Sequence, residues 1–257
     1  MRAPERPRAG HGLVAAASFL TRIPLGRASA RVTEADLRAG AAWFPIVGGA
    51  IGLAAATTGW LCTMRAPVGV AAVVAVVVEA AETGAIHLDG LADTADGLGA
   101  ASGGRDPLAA MREPGVGAFG VVTLVLDLAL RISATAALLG GSFPWALVAT
   151  GAAARFAPIA LASRARYVHP AGGRGAWLRE PLPARAIVVA AVTTLAIVTV
   201  AGPVAAGAIA SATIVVALAV GTTAVRAFGG LTGDVLGATA ELTQTLASFG
   251  AVLVLHR

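Results

Sequence analysis

The chain contains no lysine, and charged residues of both signs fill only 13% of its 257 positions, against roughly 25% in an average soluble domain. So little charge excludes a water-soluble protein of this size, which needs far more polar surface around its core. There is one cysteine, Cys62, and it lies in an apolar run. No disulfide or zinc framework is therefore possible, and Cys62 reads as a small buried hydrophobe. A cleavable leader is also missing from the reading. The apolar run at 13–20 is short and is followed by Arg22, Arg27, Arg31 and Arg38 rather than a small-residue cleavage site. Residues 11–25 read instead as a helix at the membrane surface. No repeat, low-complexity tract or second domain is visible. The formal net charge of +5 comes from arginine alone. These arginines sit in short segments between apolar runs, the pattern of topology control, and not in the solvated basic patch that binds nucleic acid.

What the chain has in quantity is uncharged sequence. Residues 39–64 and 186–225 carry no charge. A membrane span needs about 20 predominantly apolar residues, so the first stretch holds one helix and the second holds two, with Gly202-Pro203 as the turn. Spans are predicted at 42–62, 67–86, 119–140, 145–162, 186–201 and 204–225, with a weaker candidate at 242–255. The fold class is all-α, a polytopic membrane bundle of about six to seven spans, forming a single membrane domain over 1–257. Arginine is unevenly placed: seven in the N-terminal segment 1–41 and five in 163–185, but only Arg65 in the first turn between spans. The turns at 140–144 and 202–203 have none. The positive-inside rule then puts 1–41, the 87–118 loop, the 163–185 loop and 226–241 in the cytoplasm.

The most informative stretch is HLDGLADTADG at 87–97. Asp89, Asp93 and Asp96 are spaced i, i+4 and i+7, which on a helix puts three carboxylates within a ~60° arc. Like charges so placed repel unless a cation sits among them. Hard oxygen donors suit Mg²⁺, which takes one or two carboxylates plus substrate phosphates. Gly90 and Gly97 leave little bulk there, as if to admit a phosphate. His87 is a candidate base or an orienting partner. In MREPGVGAFG at 111–120, Arg112 suits bidentate phosphate binding, and its glycines allow a tight path into the next span. In FGGLTGDVLGATAEL at 228–242, Asp234 follows three glycines and shares a face with Glu241. Within the spans, Asp127 and Arg131 are i, i+4 and read as a mutually neutralising pair. Glu79, Glu82 and Arg155 are functional candidates by default, because each intramembrane charge costs roughly 2.5–3.5 kcal/mol on insertion scales.

These motifs, with FLTRIP at 19–24 and WFPIVGGAIG at 43–52, occur in an order that resembles the cobalamin synthase family, the adenosylcobinamide-GDP ribazoletransferases, over nearly the whole chain. The resemblance implies a multi-pass enzyme of the inner membrane that uses Mg²⁺. It implies that α-ribazole, or its 5′-phosphate, is joined to adenosylcobinamide-GDP with release of GMP, late in cobalamin biosynthesis. The family's acidic motif maps onto His87, Asp89, Asp93 and Asp96 as the catalytic set, the three aspartates being the metal ligands. Its TGD box maps onto Thr232, Gly233 and Asp234. Arg112, Thr232, Asp234 and Arg155 form the expected substrate-binding set. One departure is visible: the family often has an Asp-Ser-Arg run where this chain has Glu113-Pro114-Gly115, so position 115 offers no basic side chain. Expected partners are the two substrates and membrane lipid, with no nucleic acid. The rivals are a CDP-alcohol phosphotransferase, a polyprenyl-diphosphate transferase and, outside the enzymes, a small permease. The first usually shows DGxxAR, but here Asp93-Thr94 stands where Ala-Arg belongs. The second usually carries two Asp-rich boxes. The permease predicts paired broken repeats, which are not seen.

The arginine distribution makes a direct prediction. In a Cys62→Ser background, a cysteine introduced at Ser102 should stay unlabelled by an impermeant thiol reagent in intact cells. Labelling without lysis would reverse the orientation.

Overall fold

Apolar side chains dominate the outside of this protein as well as its inside. A computed structural model describes residues 10–26, 29, 32–141, 144–168 and 175–255. The topology arginines Arg2, Arg6, Arg8, Arg27, Arg31 and Arg174 lie outside the described residues. The helices are α1 (His11–Leu20), α2 (Glu34–Gly40), α3 (Phe44–Thr63), α4 (Val68–Thr83), α5 (Ile86–Ser102) and the short α6 (Pro107–Ala110). They continue with α7 (Ala118–Gly140), α8 (Trp145–Ala162), α9 (Ala184–Val198), α10 (Pro203–Phe228) and α11 (Gly233–Leu255). No strand occurs among the described residues, only an isolated parallel bridge between Tyr167 and Leu231. Six helices are long and apolar enough to cross a membrane, or up to seven if the bent pair α4–α5 counts as one. Val125 and Leu126 on α7, Val192 and Leu195 on α9 and Leu218 on α10 are each more than 60% exposed. Such a surface requires lipid around it.

Between the helices the packing is made by small residues. The buried positions of α8 are largely alanine and glycine. Gly48 and Gly52 of α3 lie against the backbone of Gly151 and Leu147 on α8, so closely that a Cβ at either glycine would collide with a carbonyl oxygen. This is the small-xxx-small mode by which membrane helices approach each other in the absence of a hydrophobic drive.

Three expectations change in the structure. The span expected at 67–86 ends at Thr83, and α5 leaves it at 88°. The bend is made by Gly84 (φ 63) and Ala85 (φ 56), both left-handed; Ala85 is the only non-glycine with positive φ among the described residues. Such backbone is costly for a residue with a Cβ and concentrates at functional sites. The acidic 87–118 loop is therefore mostly helix: α5 lies across one end of the bundle, against the N-terminal turns of α7 and α11. Likewise, 226–241 is not an open segment. α10 runs on to Phe228, and after a four-residue turn at 229–232 α11 begins at Gly233 and continues as one 23-residue helix to Leu255.

The third correction concerns the charges inside the bundle. Arg131 does not pair with Asp127. Its guanidinium binds Glu79 on α4 and Glu241 on α11, with all three side chains buried. Asp127 makes no ion pair with Arg131 among the described residues; its buried carboxylate lies beside Thr245 and Glu241. Arg131 reaches across the bundle because two carboxylates on neighbouring helices satisfy its two terminal nitrogens, which one carboxylate on its own helix does not. Above this pair, Arg155 donates to Gln244 (2.8 Å), whose amide donates to Thr150 (3.1 Å).

Removing one partner of a buried ion network leaves the others unpaired, typically at about 3–5 kcal/mol. Arg131→Leu should therefore lose most of the stability of the detergent-solubilised protein. Asp127→Asn should leave the thermal midpoint nearly unchanged. An equal loss in both would restore the i, i+4 pair.

Candidate active site

At the end of the bundle crossed by α5, a cavity of about 580 Å³ opens between α1, α3, α5, α8 and α11. Its polar lining includes Arg22, His87, Asp89, Arg155, Tyr167 and Asp234, and Phe19, Phe44 and Trp177 form an apolar wall. The rings of Phe19 and Trp177 meet edge to face at 5.5 Å, and Phe44 lies 5.8 Å from each. His87, Leu88 and Arg155 also line the narrow space around Glu79, Arg131 and Glu241, so the ion network forms the cavity floor.

The carboxylates converge because two helices come close. A Cβ on Gly90 would sit 2.7 Å from the Asp234 carbonyl oxygen, and Gly237 faces the backbone of Ile86, His87 and Gly90. Glycine here is helix packing, which corrects the expectation that Gly90 admits a phosphate. Gly97 is similarly occupied by Met111 and Phe228. The close approach puts Asp234 of α11 beside Asp89 and Asp93 of α5. Asp93 is half-buried, and its pKa is pushed up to about 6, first by burial and then by the carboxylates of Asp89, Asp234 and Asp96. Burial, and then Asp234, also raise the Tyr167 phenol. Tyr167 is held by the bridge to the α10–α11 turn, with Val168 N–H donating to Leu231 O (2.9 Å) and Leu231 N–H to Arg166 O (2.8 Å).

The other expected residues fall elsewhere. Asp96 faces α7, where its two oxygens accept from Gly117 N–H (2.7 Å) and Gly120 N–H (2.9 Å). It caps a helix whose dipole favours an anion, so of the expected metal trio Asp96 is the one already bound to backbone amides. Among the described residues no three His, Cys, Asp or Glu side chains form a ready metal cage. Arg112 is exposed on the turn after α6, donates to Leu108 O (2.9 Å) and does not line the cavity. Thr232 is buried, and its hydroxyl accepts from Val235 N–H (3.2 Å). It starts α11 and so positions Asp234, without facing the cavity itself. Arg155, His87, Asp89 and Asp234 do line it.

Sequence reasoning missed Arg22, Tyr167 and the aromatic wall. Arg22 had been counted among the topology arginines, although it lies within the FLTRIP motif. Tyr167 carried no signal, because its place depends on the bridge to a turn more than sixty residues later.

With this geometry in view, comparison with known proteins is decisive. The sequence pattern of the family described as cobalamin-5-phosphate synthase matches residues 12–252. The chain belongs to that family. Proteins named adenosylcobinamide-GDP ribazoletransferase from Thiobacillus denitrificans and Chlorobium phaeobacteroides are 38% and 33% identical to it. These matches cover 92% and 91% of this chain and 92% and 94% of those proteins. The protein of the same name from Bradyrhizobium diazoefficiens is 37% identical over 87% of this chain and 86% of its own length. No solved structure matches the chain. Membership makes the chain a transferase and sets aside the rival transferases and the permease.

The carboxylate cluster has a measurable signature. Asp93 binds its proton more tightly folded than unfolded, so its contribution to stability is lost as pH rises from about 4 to about 6. In EDTA the thermal midpoint should fall across that window, and Asp93→Asn should flatten the fall. An unchanged slope in the variant would show that the carboxylates do not interact.

Proposed function

We infer that this chain is an adenosylcobinamide-GDP ribazoletransferase that joins α-ribazole, or its 5′-phosphate, to adenosylcobinamide-GDP, giving adenosylcobalamin or its 5′-phosphate and GMP. The observation that carries the reading, beside family membership, is that Asp89 and Asp234 line a cavity of about 580 Å³ on one end of a membrane bundle, with the carboxylate of Asp93 close to both. A ribose hydroxyl oxygen forms a bond to the cobinamide-side phosphorus of the pyrophosphate. The phosphorus–bridging-oxygen bond breaks, GMP leaves with that oxygen, and the hydroxyl proton passes to a base. We assign that proton to an imidazole nitrogen of His87. The work asked of the protein in such a transfer is chiefly orientation and charge neutralisation.

Mg²⁺ fits the donor set in a particular way. The oxygens of Asp89, Asp93 and Asp234 are hard ligands in a cluster with excess negative charge, as the raised Asp93 indicates. Mg²⁺ takes one or two carboxylates and completes its shell with water and substrate phosphate, so it does not need a closed protein cage. When bound, the ion neutralises charge developing on the phosphate oxygens. Asp89, Asp93 and Asp234 would hold it, and Asp96 keeps α7 in register. Arg155 supports anionic substrate from the cavity floor, and Arg112 has no assigned contact. The arginine distribution orients the site to the cytoplasmic face of the cell membrane.

The test is GMP release by purified protein given adenosylcobinamide-GDP, α-ribazole and Mg²⁺. Asp93→Asn should lower turnover about 10²–10³-fold at unchanged yield, with partial recovery at high Mg²⁺. Asp106 caps α6 from an exposed turn, and Asn caps as well as Asp, so Asp106→Asn should match wild type. Equal activity of the two variants would remove the acidic cluster from the chemistry. An inactive wild type would remove the assigned reaction.

A further inference from the structure

The most exposed cation in the cavity has no partner. Arg22 lines the cavity with Asp89, Asp234, His87 and Arg155. Among the described residues its guanidinium makes neither an ion pair nor a hydrogen bond, whereas Arg155, the other lining arginine, is buried and bound to Gln244. An arginine that lines a pocket with carboxylates and pairs with none of them keeps its donors open to a ligand. A ligand carrying negative charge, itself bridged to the carboxylates by a cation, completes both sides.

The position of Arg22 is built rather than incidental. Its backbone N–H donates to Glu82 O (2.6 Å), at the C-terminal end of α4. Thr21 beside it donates from its hydroxyl to Ala17 O (2.8 Å) and accepts from Ile23 N–H (3.3 Å), and Pro24 stiffens the next link. The Arg22 side chain then lies over Gly84, where any Cβ would run into the Nε and Cγ of the arginine. Gly84 thus serves twice: it takes the left-handed backbone of the α4–α5 bend and leaves the channel that Arg22 occupies. The bend that aims α5 and its aspartates at the cavity therefore also seats the arginine. By contrast, Arg112 sits on an exposed turn and is held only through a carbonyl.

We propose that Arg22 is a phosphate-binding residue of the active site, taking a phosphate oxyanion of substrate in the cavity that Asp89 and Asp234 also line. This rests on the ribazoletransferase reading. Two substrate groups share that chemistry: the pyrophosphate of adenosylcobinamide-GDP and the 5′-phosphate of α-ribazole 5′-phosphate. Arginine suits either through paired N–H donors.

The test measures steady-state constants of Arg22→Gln and Arg22→Lys with adenosylcobinamide-GDP against α-ribazole and against its 5′-phosphate. Loss of a charge-assisted contact should raise a KM or lower kcat/KM by about ten- to hundred-fold. Lysine should recover part of the loss, because it keeps the charge without the fork. A loss confined to α-ribazole 5′-phosphate assigns Arg22 to the nucleotide's phosphate. An equal loss with both co-substrates, with a raised KM for adenosylcobinamide-GDP, assigns it to the pyrophosphate. Wild-type constants in Arg22→Gln for all three substrates would overturn the proposal and leave Arg22 a topology or lipid-headgroup charge. So would a drop in thermal midpoint and yield with unchanged constants in the surviving protein. Failure of the underlying reading looks different: wild type itself would then release no GMP.

Discussion

A guanidinium buried between apolar helices is tolerated only if its charge and its donors are met on the spot. Arg131 meets that condition by taking Glu79 from α4 and Glu241 from α11. Three helices distant in sequence are thereby held at one height and rotation, since a slip of either partner would strand a charge in the bundle. Much else follows from that fixed level. The network floors the cavity, Arg155 and Gln244 stand just above it, and the neighbouring ends of α4 and α11 are the two backbones against which α5 and the Arg22 segment are set.

Lipid imposes the complementary constraint. Because hydrocarbon outside is as apolar as the helices, large side chains gain nothing by turning inward, and small ones allow close contact. Many valines and leucines therefore face out, while alanine is the commonest buried apolar residue. The site exploits that closeness. Gly90 against the backbone at Asp234 brings carboxylates together, and burial first, then their mutual repulsion, pushes the Asp93 pKa up to about 6. Asp96, one turn further on, instead accepts two backbone N–H groups at the start of α7. One motif on one helix thus divides between a charge left for a ligand and a charge spent on structure.

The division also shows which parts of the chain were readable without a fold. Charge-free runs between arginine-bearing segments identify a multi-span bundle because the cost of burying charge in lipid acts on each segment locally. Five of the expected spans, those at α3, α7, α8, α9 and α10, and the helical spacing of Asp89, Asp93 and Asp96 follow from such local rules. By contrast, 67–86 breaks at the α4–α5 bend, and the weaker 242–255 is the end of the full-length α11. The i, i+4 spacing of Asp127 and Arg131 obeys the same rules and misleads, because a two-carboxylate solution across the bundle satisfies the guanidinium better. Glu79 and Glu241, 162 positions apart by their numbering, carried no sign of sharing a partner.

By itself, then, the sequence determined the membrane class, most of the spans and the family, all properties of residue type, motif order and short-range spacing. Only the tertiary structure decided which acids act together. It bent α4 from α5 at Gly84 and Ala85, assigned Asp96 and Thr232 to helix starts, and brought Asp234, Tyr167 and Arg22 to one cavity. The physical reason is that a side chain's role here depends on which neighbouring helix or turn supplies its partner. That choice is made by close packing between segments far apart in the chain, which spacing along one segment does not record.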